Sequence, residues 1–104
     1  MLTRLEGLPE ELVRLHASGT VVATDVSLAM RDLPAQAHMV VVLDPDFDGY
    51  LAEISRGLAG SDCARCALIV PDDMIEEARI HADTDRFRIF PASERGKATM
   101  WAAT

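Results

Sequence analysis

Hydrophobic residues recur along this chain with two periods, one of two residues and one of three to four. From Leu12 to Ser18, Val13, Leu15 and Ala17 alternate with Arg14 and His16, the mark of a strand that buries one face. His38 to Leu43 and Arg65 to Val70 are near-continuous apolar runs, as expected for strands covered on both faces. Arg86 to Phe90 reads as a shorter strand stopped by Pro91. Met1 to Glu6 reads as a weak strand that Gly7, Leu8 and Pro9 turn into the next one.

The longer period fills the gaps between these runs. Val26, Ala29, Met30 and Leu33 form one apolar face of a helix from about Ala23 to Leu33, which Pro34 ends. Phe47, Leu51, Ile54 and Leu58 predict a second helix, beginning after Asp46 as its N-cap and closing at Gly60. Asp72 and Asp73 are expected to cap a third helix through about Ala82. Ser93 is expected to cap a fourth, in which Ala98, Trp101 and Ala102 face the core.

The order is therefore ββαβαβαβα, an α/β class with a mostly parallel sheet, an antiparallel opening pair and helices packed on the sheet. No repeat or Gly/Ser/Pro-rich linker divides residues 1–104, so one domain is expected. A chain of this length hides roughly 65% of its unfolded surface, enough to fold without a staple.

Charge narrows the partners. Ten Lys and Arg against 17 Asp and Glu give a formal charge of −7, which argues against nucleic acid. A spanning helix takes roughly 20 apolar residues, whereas Met39 to Leu43 and Cys66 to Val70 are only strand-sized. No signal peptide is read at the start, so a cytoplasmic protein is expected, without membrane insertion. Two cysteines do not make a secreted disulfide framework.

Three segments carry a likeness to a known family. Glu6 to Gly19 (EGLPEELVRLHASG), followed by Asp25, resembles the opening of the SpoIIAA-like proteins. Arg65 to Asp72 (RCALIVPD) and Arg86 to Arg95 (RFRIFPASER) resemble that family's last two strands and the turns after them. The resemblance implies the STAS fold of anti-sigma-factor antagonists, catalogued beside SEC14-type lipid-binding domains. In the antagonists a kinase phosphorylates a serine just beyond an Asp that ends the central strand. The matching stretch here, Asp44 to Gly49, holds no Ser or Thr, so that switch does not carry over.

That stretch is nevertheless the most suggestive string in the chain. Asp44-x-Asp46-x-Asp48-Gly49 matches the first half of a calcium loop, but its twelfth position is Ser55 instead of Glu. Paired carboxylates after an apolar strand also resemble haloacid-dehalogenase-type phosphatases, with Asp72 and Asp73 as Mg²⁺ ligands. The cationic help that phosphoryl transfer needs is thin, Lys97 being the only lysine. The plainer reading is a solvated acidic strand-to-helix corner, without metal or cofactor. Cys63 and Cys66 have dithiol spacing but lead into a strand, not a helix N-terminus, so Cys66 reads as core and Cys63 as loop. His16, His38 and His81 are scattered and each reads as a surface residue.

The leading expectation is a non-enzymatic recognition module. It would meet a protein partner through Asp44, Asp46, Asp48, Gly49 and Tyr50, a corner that a basic face complements. The alternative is a carrier of an apolar small molecule or lipid, its pocket lined by Leu51, Ile54, Met74 and Trp101. A Mg²⁺-dependent phosphatase-like enzyme ranks third. Self-association into a homodimer through an open sheet edge is a further expectation.

Overall fold

The computed structural model describes residues 2–5, 12–21, 24, 25, 28, 37–49, 54, 64–79 and 86–103. In chain order the strands are β1 (Leu2–Leu5), β2 (Leu12–Ala17), β3 (Thr20–Val21), β4 (His38–Leu43), β5 (Asp48–Gly49), β6 (Arg65–Val70) and β7 (Phe87–Pro91). Two helices have described bounds, α1 (Ile75–Arg79) and α2 (Arg95–Ala103). Thr24, Asp25, Leu28 and Ile54 are helical as well, within the segments where the apolar spacing predicts the first two helices.

The main sheet runs β1-β2-β4-β6-β7. β1 pairs antiparallel with β2, and every later pair is parallel. The α/β class, the mostly parallel sheet and the antiparallel opening pair are thus as expected. The two continuous apolar runs become β4 and β6, the strands with a parallel neighbour on each side. Because side chains alternate across a strand, each of these strands feeds two separate cores.

On one face, Val13, Leu15, Met39, Val41, Cys66, Leu68, Val70, Phe87 and Ile89 pack together. Val21, Ile54 and Ala78 cover them, with Met74 and Ile75 at the margin. On the other face, Leu12, Val40, Val42, Ala67 and Ile69 meet Ala98 and Ala102 of α2, with Phe90 and Trp101 packed alongside. Alanines at the contact let α2 lie close to β6 and β4. Its carboxyl end is held from the sheet by His38 Nδ1, 2.6 Å from the Ala102 carbonyl oxygen, and by Arg65 donating to the Trp101 carbonyl at 3.0 Å. Cationic and donor side chains suit that end, where helix carbonyls lack partners.

Two caps differ from expectation for one reason. A proline in extended conformation, Pro71 (ψ 145°) or Pro91 (ψ 156°), precedes each helix, and neither offers a side-chain cap. Its fixed φ leads the chain into a single 3-10 turn, Asp72–Met74 or Ala92–Glu94, and the α-helix begins only after that turn. Asp72 is then free to accept from the Ser93 backbone N–H at 3.0 Å, linking the two turns instead of capping its own.

Among the described residues no helix is long and apolar enough to cross a membrane. Leu68 is fully buried on β6, whereas Met100 on α2 is 73% exposed. Leu68→Ala should therefore cost about 2–5 kcal/mol, while Met100→Ala should change stability by less than about 0.5 kcal/mol. Urea unfolding followed through the single tryptophan, Trp101, separates the two outcomes.

Candidate functional site

Parallel pairing sends the carboxyl ends of β2, β4, β6 and β7 to the same edge of the sheet, where Asp44, Asp46 and Asp48 follow β4 and Asp72 and Asp73 follow β6. β4 ends at Leu43, and the next residue, Asp44, is tied back to β2: its N–H donates to the Ala17 carbonyl at 2.8 Å. Its carboxylate Oδ2 lies 3.0 Å from His16 Nε2, and Oδ1 accepts from the Asp46 backbone N–H at 3.3 Å. Phe47 N–H closes the turn on the Asp44 carbonyl at 2.9 Å. Phe47 also packs its ring against the core, which fixes the direction in which the corner leaves the sheet.

Asp46 does not cap a helix. Its Oδ1 accepts from the backbone N–H of Gly19, 27 residues earlier, at 3.1 Å. Asp48 N–H then donates to the Gly19 carbonyl at 2.7 Å, and β5 runs parallel to β3 with Thr20 opposite Asp48 and Val21 opposite Gly49. The expected helix start at Phe47 is thus corrected: a two-residue strand stands where the first turn was placed. The cause is long-range. Gly19 adopts φ 60°, a left-handed conformation that favours glycine, and so turns the chain after β2 to run beside the corner.

Of the five residues expected to form the contact, the structure brings Asp44, Asp46, Asp48 and Gly49 together on one segment. Asp46 and Asp48 are exposed and Asp44 is half-buried. Tyr50 lies outside the described residues. His16 is a member of the corner that sequence reasoning missed. Its only sequence signal is the alternation of β2, which puts Arg14 and His16 on the face opposite Val13 and Leu15; the register that sets it beside Asp44 depends on folding. His38 likewise is not a plain surface residue, since it holds the end of α2.

The residues proposed for an apolar pocket divide. Ile54 and Met74 belong to one face of the sheet, Trp101 to the other, and Leu51 lies outside the described residues. Trp101 is engaged by its neighbours. The Arg65 and Arg88 guanidinium carbons lie 5.1 and 5.4 Å from its ring centroid, and the Phe90 ring is tilted against it at 6.0 Å. Cation–π geometry of this kind orders an indole at a sheet margin.

Asp72 and Asp73, the Mg²⁺ ligands of the phosphatase alternative, are exposed on the turn after β6, and Asp72 is engaged by Ser93. Among the described residues no three His, Cys, Asp or Glu side chains are grouped so as to hold a metal ion. Cys66 is buried within the core of β6, where a thiol acts as a small hydrophobe; Cys63 lies outside the described residues. Compared with family models, curated proteins and solved structures, the chain matches none.

The Asp46–Gly19 bond lies in solvent, so water replaces part of what its loss removes. Asp46→Ala should lower stability by about 0.5–1 kcal/mol, and Asp46→Asn, which keeps an acceptor oxygen, by less. Asp48→Ala, whose corner contact runs through its backbone N–H, should be close to neutral. Chemical denaturation of the three variants would show the ranking.

Proposed function

We propose that this chain is a SpoIIAA-like domain of the STAS type that works without catalysis, recognising a basic face of a protein partner through the corner Asp44 to Tyr50. The observation that carries the reading is the way the corner is held. Asp44 and Asp46 each accept a backbone N–H and so stay fixed in place, and the turn presents the exposed carboxylates of Asp46 and Asp48 at the carboxyl edge of the sheet. A surface ordered before contact binds at a smaller entropic cost than a loose one. In open α/β sheets this edge is where sites collect.

The family reading rests on the quoted sequence segments together with the strand order, in which an antiparallel opening pair leads into parallel strands with helical segments between them. Asp46 takes the place where the antagonists carry their phosphorylated serine. Its permanent charge makes the contact constitutive instead of kinase-controlled. Long-range attraction between the corner and a basic face speeds encounter and weakens with salt.

Asp46→Asn combined with Asp48→Asn removes two charges and keeps the acceptor oxygen that Gly19 uses. In low-salt pull-downs a basic partner retained by the native chain should be lost or weakened about tenfold, with the melting temperature nearly unchanged. Equal recovery by both chains would refute the proposal.

A further inference from the structure

His16 is the one imidazole in contact with the corner among the described residues, its Nε2 lying 3.0 Å from Asp44 Oδ2 with both side chains 35% exposed. From this contact we infer that His16 makes the acidic corner a proton-sensitive contact surface, binding a cationic partner more tightly when the imidazole is neutral than when it is charged. The inference rests on the reading of the corner as the site for a basic face.

The charges around His16 can be placed element by element. On its own strand Arg14 stands two residues earlier, on the same face of β2. Across the sheet His16 is opposite Thr3 of β1 and Val42 of β4, neither of which is charged. Beyond β4 come Asp44, in contact, and then Asp46 and Asp48 on the same turn. Of these residue types only histidine ordinarily changes charge between pH 5 and 8.

The sign follows from the pairing. A neutral His16 can donate an N–H to Asp44 and leaves three carboxylates facing a partner. A protonated His16 forms an ion pair with Asp44, and the corner offers the charge of two. A cationic partner bound at Asp46 and Asp48 also meets the imidazolium as a like charge. Both effects weaken binding as pH falls. Since the corner is partly exposed, water and salt limit the size of the change.

The test uses a fluorescently labelled octa-arginine peptide, whose charge stays constant over this range, titrated by anisotropy at about pH 5.5 and about pH 7.5 at one ionic strength. The native chain should bind roughly threefold more tightly at the higher pH, the effect of one unit charge near contact in a water-like dielectric. His16→Gln, whose amide can still donate to Asp44, and His16→Asn should each bind with a ratio near one. Equal affinities at the two pH values for the native chain, or an unchanged ratio in both variants, would overturn the inference while leaving the corner as a binding surface. If the doubly substituted chain with Asp46→Asn and Asp48→Asn binds the peptide as well as the native chain, the reading of the corner itself fails, and the proton linkage with it.

Discussion

A strand buried on both faces can only be stable between two covering layers, and β4 and β6 are such strands. That requirement shapes the rest of the fold. Each must pair with a neighbour on either side, so β2 and β7 flank them. Parallel neighbours need crossovers, whose helical segments supply one cover, and α2, which follows β7, supplies the other. Ile54 and Ala78 close one face, while Ala98 and Ala102 close the other. The apolar residues of the two central strands are divided between the faces by simple alternation, with the same pattern on both.

The same parallel pairing decides where polar chemistry can stand. β2, β4, β6 and β7 each deliver their carboxyl end to one edge, and the chain must leave that edge through turns whose backbone groups have lost the ladder. Asp44, Asp46 and Asp72 satisfy those groups: Asp44 accepts from Asp46 N–H, Asp46 from Gly19 N–H and Asp72 from Ser93 N–H. An aspartate at a strand end is therefore first a structural device that replaces a missing acceptor. The edge also becomes acidic, with Asp46 and Asp48 exposed, and a recognition surface needs little more.

How much of this could be read in the sequence follows from the range of each interaction. β4 and β6 begin and end where their apolar runs do, because a strand covered on both faces leaves no position for a polar side chain. Pro71 was legible as the stop that follows β6, whereas Pro91, read as a stop after Phe90, is the last paired residue of β7. Their effect on the next turn was not legible, since the competition between an α and a 3-10 start lies in the backbone. The helix start after Asp46 failed for a different reason. Asp46 has the composition of an N-cap, but its partner is Gly19, and that pairing exists only once β2 and β4 lie side by side. His16 was missed on the same ground: its local pattern says polar face of a strand, and only register makes it a neighbour of Asp44.

The division of the core also bears on the choice between recognition and ligand carriage. A carrier pocket lined by Ile54, Met74 and Trp101 would have to reach both sides of the sheet, crossing strands in which Val40, Val41, Ala67 and Leu68 are fully buried. A sheet of paired strands is not crossed by a ligand, so any apolar ligand must choose one side. On the α2 side, Trp101 is occupied with Arg65, Arg88 and Phe90, and clearing it would cost those contacts as well as its burial. On the other side the space is contested by Leu68, Phe87 and Met39, each fully or almost fully buried. Opening a void there would forfeit packing contacts at about 24 cal/mol per Å³, several kcal/mol for even a small ligand. A partner that docks on the acidic edge requires none of this. It would meet an Asp46 carboxylate already held by the Gly19 N–H and would leave the described core residues packed.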